Sequence, residues 1–446
     1  MQDWYNKAKF GIFLHWGIYS VGDTSESWEF GNGKISYDEY MKNLSKFTAS
    51  KYNPEKWAKL FKKAGAKYAI LTAKHHDGVC LFDTSYTDLT VTNKTPAKRD
   101  LIAPYCKAMR DKGLRVGVYF SNTDWSDVDH MRVLIDRTHD EVLNLRSDKT
   151  NYAKMWPLQT QKLKLDNNFD GEYQKEWNNF LDRYKGEIRE LLTNYGKIDL
   201  FWTDAMLYRQ GYSWDTKNVK DMIVKLQPDI MVNGRLDGYG DFNTSEQRLP
   251  LKAISHETWE YCQTLNDSWG YRTDDTHYKD IYQLVRLFTE CISMGGNMLL
   301  GIGPKENGEI PKEAEKVLLE FGEWIHKYEQ AIYDTNRGLE TEYYKGQSTI
   351  SENGKVIYLF VHGKEKYVMV NGLRNVPKKI VSLKNNRVLE TDRTGGAPWA
   401  NIPGCLWIKM EDQDFDDVCT VIKIELEEKI DLWKITEPQD FGAQTE

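Results

Sequence analysis

Polar and aromatic side chains follow five short apolar runs in the first half of the chain, at the point where each run ends. These groups contain three histidines, three tryptophans and three aspartates, and they are His15-Trp16, 74–78 (KHHDG), 121–125 (SNTDW), 202–204 (WTD) and 233–235 (NGR). In a barrel of alternating strands and helices, catalytic groups lie at the C-terminal ends of the strands. One such group would mean little, but five together predict a functional site.

Asp204 ends a run of apolar residues that begins at Ile198 and is interrupted only by Asp199. A carboxylate at the end of a buried strand is costly unless it has a partner or a catalytic task. A salt-bridged or helix-capping aspartate is one alternative, and we favour a nucleophile or general base.

The partner acid is expected from a later loop, where Glu246, Glu257 and Glu260 are the candidates. On the sequence alone, each of these glutamates is also consistent with a surface residue. Two carboxylates suit glycosidic cleavage, because one protonates the leaving oxygen and the other meets the cationic sugar.

A zinc site built from His15, His75, His76 and Asp204 is the competing interpretation. The adjacent pair His75-His76 would point in different directions if its strand continued, because side chains alternate along a strand. Neither His-x-His nor His-Glu-x-x-His spacing occurs, and GxSxG, P-loop and GxGxxG motifs are also missing from the sequence. We therefore expect hydrogen bonding to sugar hydroxyls, with no metal and no cofactor.

The composition narrows the class of protein. The 446 residues carry a net charge of −7, which argues against binding to nucleic acid or to an anionic membrane surface. The 15 tryptophans and 26 tyrosines fit either a large core or an aromatic-lined sugar site. Six scattered cysteines without a CxxC pair predict free thiols.

No apolar run is long enough to cross a membrane, and no signal peptide is evident in the sequence. A cytoplasmic enzyme is therefore expected, or a secreted or periplasmic one if a signal peptide was removed.

Short strand-like runs alternate with amphipathic helices over the first 335 residues. One helix shows clear signals, because Asn53 can cap it, Pro54 suits its first turn and Gly65 can end it. Repeated β–α units imply parallel strands. This pattern predicts a (β/α)8-like TIM barrel over 1–335, with a doubly wound sheet as the alternative. Short strands then predict an antiparallel β-sandwich over 336–435, before a polar tail at 436–446.

Several spaced motifs resemble family 29 of the glycoside hydrolases, the α-L-fucosidases, over nearly the whole chain. The matching stretches are 9–17 (KFGIFLHWG), 57–65, 72–78 (TAKHHDG), 117–121 (GVYFS), 202–204 (WTD), 259–262 (WEYC), 268–271 (SWGY) and 295–304 (GGNMLLGIGP). The resemblance implies a barrel followed by a β-sandwich, and hydrolysis of terminal α-L-fucosyl linkages with retention of configuration.

The resemblance also implies roles for individual residues. Asp204 falls on the family's nucleophile and Glu246 on the acid/base of some members, with Glu257 and Glu260 in reserve. The residues that match the fucose pocket are His15, Glu26, Trp28, His75, His76, Tyr119, Trp202 and Arg235. Glu29 is an alternative to Glu26, and Trp202 would cover the C5 methyl group of fucose.

The chain departs from the family pattern beside the nucleophile, where Thr203 and Ala205 replace the frequent Phe and Gly. The long polar loop over 122–175 is expected to shape the leaving-group subsite, so linkage and aglycone preference stay open. A hydrolase of a related L-galacto-configured sugar and an inactive sugar-binding relative are the alternatives. The expected partner is a fucosylated oligosaccharide or glycoconjugate, with homo-oligomerisation left open.

Overall fold

The computed structural model describes residues 3–22, 24–151, 171–207, 212–251, 258–400 and 402–434. Its first eight strands form one parallel sheet in the order β5-β4-β3-β2-β1-β8-β7-β6. These strands are β1 Phe10–Leu14, β2 Tyr68–Lys74, β3 Arg115–Ser121, β4 Leu200–Asp204, β5 Met231–Val232, β6 Asn243–Glu246, β7 Trp259–Thr264 and β8 Asn297–Ile302. A parallel bridge between Asn233 and Phe242 joins the two edges of this sheet, which gives the predicted (β/α)8-like barrel.

Helices separate most of the barrel strands, as the alternating pattern predicts. The helices of seven or more residues are Pro54–Lys63, Ile102–Asp111, Val128–Ile135, His139–Leu145, Gln174–Asn194, Thr216–Leu226, Ile281–Ser293 and Lys312–Lys327. Shorter helices are Asp3–Ala8, Trp28–Gly31, Tyr37–Met41 and Val91–Lys94. The Asn53 side chain accepts a hydrogen bond from the Lys56 N–H at 2.8 Å, so the predicted cap and helix start are confirmed.

The barrel interior is filled by large side chains that point inward from several strands. Its buried cluster contains Tyr5, Ala8, Phe13, Tyr68, Ile70, Tyr119, Leu200, Trp202, Met231, Phe242, Cys262 and Leu299. Small residues leave room for the large ones. A Cβ atom added at Gly11 would lie 2.3 Å from the ring of Tyr68 on the neighbouring strand, so a larger residue there would displace that ring.

Two barrel strands carry no clear sequence signal. β6 consists of Asn, Thr, Ser and Glu, so it lacks the apolar alternation by which strands are recognised. β7 is fully buried and includes the polar residues Glu260 and Gln263. Between β5 and β6 the chain forms a loop without a helix, which interrupts the β–α alternation there.

The C-terminal strands form two antiparallel sheets around one core. The five-stranded sheet has the order β13-β16-β11-β10-β9 and the three-stranded sheet the order β12-β15-β14. Their bounds are β9 Thr335–Arg337, β10 Gln347–Ser351, β11 Val356–Val361, β12 Tyr367–Asn371, β13 Lys379–Ser382, β14 Thr391–Thr394, β15 Cys405–Lys409 and β16 Thr420–Glu425. Ile357 and Ile422 from one sheet share a buried cluster with Val368 and Ile408 from the other, so the predicted β-sandwich is confirmed.

The described chain divides into two compact units. The first contains the described residues up to Pro250, those of 258–279 and those of 297–322. The second contains Leu251, residues 280–296 and the described residues from 323 onward. The domain boundary expected after residue 335 stays a prediction, and the tail at 436–446 lies outside the described residues.

All six cysteines lie among the described residues and none forms a disulfide bond, as the sequence predicts. Across the part of the chain that the structure describes, no helix combines the length and apolarity that crossing a membrane requires.

Candidate active site

One pocket at the C-terminal ends of the barrel strands gathers the ten residues to which the family resemblance gives a first-choice role, namely two catalytic carboxylates and eight fucose-pocket residues. The lining residues are Phe13, His15, Glu26, Trp28, His75, His76, Tyr119, Trp202, Asp204, Arg235, Glu246, Cys262 and Trp269. The pocket is open to solvent, and about 350 Å³ of space lies within it when its open mouth is included.

Five barrel strands, β1, β3, β4, β6 and β7, contribute one or two lining side chains each, because parallel barrel strands end at the same face. β1 supplies Phe13 and leads to His15, while β4 supplies Trp202 and Asp204. Glu246 is the last residue of β6. Side chains two apart on a strand share a face, so the same register that points Trp202 into the barrel also points Asp204 there.

Asp204 is held by two donors at the base of the pocket. The Tyr119 hydroxyl donates to its Oδ2 at 3.0 Å, and Arg235 Nη1 donates to its Oδ1 at 2.7 Å. Burial acts to raise the pKa of Asp204, but the Arg235 charge and the hydrogen bonds from Arg235 and Tyr119 outweigh burial and hold the pKa below its ordinary value. The group is therefore an ionised carboxylate at neutral pH, as a nucleophile must be.

Arg235 joins Asp204 to the second carboxylate. Its Nη2 donates to Glu246 Oε2 at 2.6 Å, and its Nε donates to Thr244 Oγ1 at 3.0 Å. Because one planar guanidinium contacts both carboxylates, their separation is limited to the width of that group plus two hydrogen bonds. Glu246 is also the more exposed of the two, with 41% of its side chain accessible against 21% for Asp204. A position nearer the solvent suits a group that serves the leaving oxygen and then a water molecule.

His75 and His76 both line the pocket, and the strand along which they would have pointed in different directions does not continue to them. The alternation of side chains ends with the strand, and β2 ends at Lys74. Beyond it the chain turns, and the two imidazole centroids lie 4.2 Å apart.

Serine hydroxyls orient the two imidazoles. Ser27 Oγ lies 2.7 Å from His75 Nδ1, and Ser121 Oγ lies 2.6 Å from His76 Nδ1. Since Ser121 donates its own proton to the Thr123 carbonyl, it accepts from His76 Nδ1–H. Nε2 of His76 is therefore the lone-pair nitrogen, and it lies 3.9 Å from Asp204 Oδ2.

The three histidines of the pocket are neutral. Burial lowers the pKa of His15 to about 3 and that of His76 to about 4, with Asp204 acting in the opposite direction on both. Burial also lowers the pKa of His75 well below its ordinary value. Neutral imidazoles can both donate and accept hydrogen bonds, which suits sugar hydroxyls.

Glu26, and not Glu29, lines the pocket. Its Oε1 accepts a hydrogen bond from the Gly270 N–H, and burial raises the pKa of its carboxyl group to about 7 despite that bond. Glu29 instead accepts from Ser25 and Lys34 outside the pocket. Glu26 can therefore exchange hydrogen bonds with a sugar hydroxyl in either protonation state.

Aromatic rings form the apolar wall of the pocket. The Tyr119 and Trp202 rings stack at 5.6 Å, and Phe13 lies 5.0 Å from Trp202. Trp269 packs against His15 at 4.9 Å. Such rings can cover the apolar face and the methyl group of a deoxy sugar.

Phe13, Cys262 and Trp269 were missed by the sequence reasoning. Phe13 lies two residues before His15 on β1, so period-two alternation assigns both side chains to one face. Trp269 stands within the 268–271 motif, which was noted without a role. Cys262 follows from the inward register of β7, but that strand had not been recognised.

The reserve acids differ in position. Glu260 is fully buried and is not among the lining residues of the pocket. Glu257 lies outside the described residues. Of the two candidate acids that the structure describes, Glu246 lines the pocket with Asp204 and Glu260 does not.

The two residues that flank Asp204 do not line the pocket. Thr203 is buried, and both its N–H and its hydroxyl donate to Asn233 Oδ1, which ties β4 to the end of β5. Ala205 adopts a φ of 52°, in the left-handed region that glycine enters most readily. The frequent glycine of the family pattern thus matches a local backbone requirement.

Behind the pocket, a buried ionic network anchors the strand ends. Lys74 Nζ donates to Asp124 at 3.2 Å and to Glu187 at 2.5 Å, and Arg183 contacts both of these acids. Lys74 directly precedes His75, so the network fixes the start of the histidine turn. Among the described residues, no cluster of three or more His, Cys, Asp or Glu side chains has the arrangement of a metal site.

Comparisons with known proteins agree with this geometry. Residues 1–330 match the family model described as Alpha-L-fucosidase. Tissue alpha-L-fucosidase from Homo sapiens is 25% identical over 90% of this chain and 83% of its own length.

Two solved structures extend the likeness to the whole fold. Alpha-L-fucosidase isoenzyme 1 from Paenibacillus thiaminolyticus is 34% identical, with a TM-score of 0.79 over 95% of this chain and 98% of its own. The alpha-fucosidase of Thermotoga maritima, solved with a mechanism-based inhibitor, is 28% identical, with a TM-score of 0.72 over 95% of this chain and 96% of its own. The family model alone spans well over half of the sequence, and the chain belongs to the alpha-L-fucosidase family.

Proposed function

We propose that this protein is a retaining α-L-fucosidase in which Asp204 is the nucleophile and Glu246 the general acid/base. The observation that carries the proposal is the bridge that Arg235 forms between these two carboxylates within one pocket. A short separation between the two carboxyl groups is the geometric requirement for retention, because no water has to fit between them in the first step.

In the first step, an Asp204 oxygen attacks the anomeric carbon and the bond to the leaving oxygen breaks. Glu246 transfers its proton to that oxygen. The Tyr119 hydroxyl donates to Asp204 Oδ2, and Arg235 donates to Oδ1. Together these two hydrogen bonds keep the carboxylate oriented. The product is a covalent fucosyl-enzyme, in which Asp204 has lost its charge.

In the second step, Glu246 removes a proton from water, and that water attacks the anomeric carbon. The bond to Asp204 breaks and fucose leaves with its original configuration. While Asp204 is esterified, Arg235 remains in contact with Glu246 and keeps that carboxylate oriented as the base. The same guanidinium therefore serves both halves of the cycle.

Selectivity for fucose comes from the apolar wall and the neutral imidazoles. Trp202 and Phe13 present ring surface to a methyl group, and one methyl group in such a pocket contributes about 1–3 kcal/mol. His15, His75 and His76 supply hydroxyl partners without adding charge. The alpha-fucosidase of Thermotoga maritima, solved with a mechanism-based inhibitor, supports a covalent route for the family.

The partner that we propose is a terminal α-L-fucosyl group on an oligosaccharide or glycoconjugate. Homo-oligomerisation and the cytoplasmic location expected from the sequence stay predictions.

The test is fucose release by wild-type protein and by Asp204→Asn. Both would be incubated with an aryl α-L-fucoside and with α1,2-, α1,3-, α1,4- and α1,6-linked fucosyl oligosaccharides. Release by the wild type alone is the expected result, and the oligosaccharide arms report the linkage. An aryl α-L-galactoside is included as a further substrate, and release from it without release from any fucoside would favour a related-sugar hydrolase. Fucose binding without any release would favour an inactive sugar-binding relative.

A further inference from the structure

Glu260 is a buried carboxylate beneath the pocket. It lies on β7 and its solvent exposure is 0%. The Tyr5 and Tyr68 hydroxyls donate to its Oε2 at 2.8 and 2.6 Å, and Trp202 Nε1 donates to its Oε1 at 2.9 Å. Both oxygens therefore have donors from the protein, and neither is available to a substrate.

Trp202 connects this carboxylate to the catalytic pair. The Arg235 guanidinium lies 4.6 Å from the centre of the Trp202 ring, and Arg235 contacts Asp204 and Glu246. Trp202 also stacks on Tyr119, which is the second donor to Asp204. A rotation of the indole would therefore disturb the groups that hold the nucleophile.

An indole N–H buried in a barrel needs an acceptor, and its choice of acceptor fixes the ring plane. Glu260 is the acceptor, and its charge makes the bond stronger than one to a neutral group. Burial raises the pKa of Glu260, and the hydrogen bonds from Tyr68, Trp202 and Tyr5 act in the opposite direction.

We propose that Glu260 is a positioning residue that fixes the Trp202 indole, and through it Arg235, for fucose binding and nucleophile orientation. The proposal rests on the proposed function for its kinetic consequences. In this proposal, Glu260 transfers no proton to the substrate. The sequence, in contrast, had made Glu260 one of the candidate acids.

The test compares three single variants with the wild type. In Glu260→Gln, the amide oxygen can still accept from the two phenols, but the NH₂ group then faces the indole N–H and that hydrogen bond is lost. Trp202→Phe keeps an aromatic wall and removes the donor. Tyr5→Phe is the matched control, because it removes a donor to the same carboxylate and leaves the indole bond intact.

Glu260→Gln is expected to raise KM for fucosides by about 10- to 100-fold, the range for loss of one hydrogen bond to a charged group. The increase should be the same for aryl fucosides and for oligosaccharides, the pH profile should keep its shape, and azide should rescue nothing. Trp202→Phe should raise KM similarly, and the double variant should be no worse than Trp202→Phe alone. Tyr5→Phe should lower the melting temperature while KM stays within about twofold of wild type.

The proposal is overturned if Glu260→Gln binds fucose and turns over like wild type. It is also overturned if the loss is confined to poor leaving groups and is rescued by azide, since that is the behaviour of an acid/base. Should Glu260→Gln fail to fold, a wild-type KM in Trp202→Phe would refute the proposal independently. Calorimetric titration with L-fucose needs no turnover. It therefore tests the positioning role even if the wild type released no fucose. Absence of fucose release would refute the proposed function and leave the positioning role to be decided by the titration.

Discussion

Arg235 donates to Asp204 across the junction between β4 and the end of β5, at 2.7 Å. The same guanidinium contacts Glu246 at 2.6 Å, so one side chain sets the positions of both carboxylates. Arg235→Met should lower kcat/KM by about 10- to 150-fold, the cost of losing a charge-assisted hydrogen bond. Arg235→Lys keeps the charge but cannot contact both acids in one plane, so its loss should be smaller. Steady-state kinetics on an aryl fucoside would measure both, and wild-type activity in Arg235→Lys would contradict the bridging role, because that variant keeps the charge without the bridge.

Replacement of the nucleophile should abolish turnover while leaving the fold intact. Asp204→Ala is expected to lose more than about 10³-fold in kcat, because no other group can form the covalent intermediate. Azide can enter the vacated space and attack the anomeric carbon directly. The product would then be a fucosyl azide of inverted configuration, identified by NMR. A product of retained configuration would refute the assignment of Asp204.

Glu246→Ala should separate substrates by their leaving groups. An activated aryl fucoside needs little protonation, so its first step should be nearly unaffected, whereas natural oligosaccharides should be cleaved far more slowly. Azide should accelerate the second step and give a fucosyl azide of retained configuration. Comparable losses on both substrate types would remove Glu246 from the acid/base role.

The buried histidines should make the fold sensitive to acid. Burial depresses the pKa of His15 to about 3 and that of His76 to about 4, against an ordinary value of 6.5. Between these values the unfolded chain binds more protons than the folded one, so stability is present above pH 6.5 and is lost as the pH falls towards 4. Each unit of difference between the pKa values of the folded and unfolded states corresponds to about 1.4 kcal/mol of stability. Melting temperatures measured from pH 7 to pH 4 should therefore fall.

Two other groups act against this trend, because burial raises the pKa of Glu26 to about 7 and that of Asp77 to about 6. A single-residue comparison isolates the histidine contribution. His76→Asn should flatten the decline in melting temperature between pH 6.5 and 4, whereas His277→Asn, at an exposed position, should not. The same slope in all three proteins would show that other groups govern the acid response.

Ala205 adopts a left-handed backbone conformation directly after Asp204. An alanine in that region is strained by about 1–2 kcal/mol relative to its usual conformations, whereas glycine is not. Ala205→Gly should therefore raise the free energy of unfolding by about 1 kcal/mol. Ala103→Gly, on the exposed face of helix Ile102–Asp111, is the matched control and should lower it by about as much. Thermal unfolding measures both, and destabilisation by Ala205→Gly would contradict the strain.

Residue positions that depend on periodicity could be predicted from the sequence. Contacts that form only when the fold brings distant elements together could not. His15 and Asp204 were recognised because each follows an apolar strand, and the strands end at one face. β6 was missed because its four residues are polar, although Glu246 had been identified from the family resemblance. His75 and His76 can both line the pocket because β2 ends before them, and the alternation of side chains alone cannot determine where a strand ends.

The role of Glu260 could not be predicted for a different reason. In the sequence, a glutamate beside Trp259 and Tyr261 is equally consistent with a catalytic acid. Only the pairing of β7 with its neighbours shows that its carboxylate faces Tyr5, Tyr68 and Trp202. The Arg235 bridge likewise requires β4, β5 and β6 to meet in space.

The barrel sheet closes between Asp204 on β4 and Glu246 on β6, at its shortest strand. β5 is two residues long, and the bridge between Asn233 and Phe242 joins it to the edge that carries Glu246. Transient opening of this seam would draw Asp204 and Glu246 apart without unfolding the rest of the barrel. The Gly234 and Asp241 N–H groups donate across the seam to the Phe242 and Val232 carbonyls. A sugar bound to both sides would hold the seam closed, so amide hydrogen exchange at Gly234 and Asp241 should slow when the pocket is filled. Catalytic competence would then depend on the same few hydrogen bonds that close the barrel.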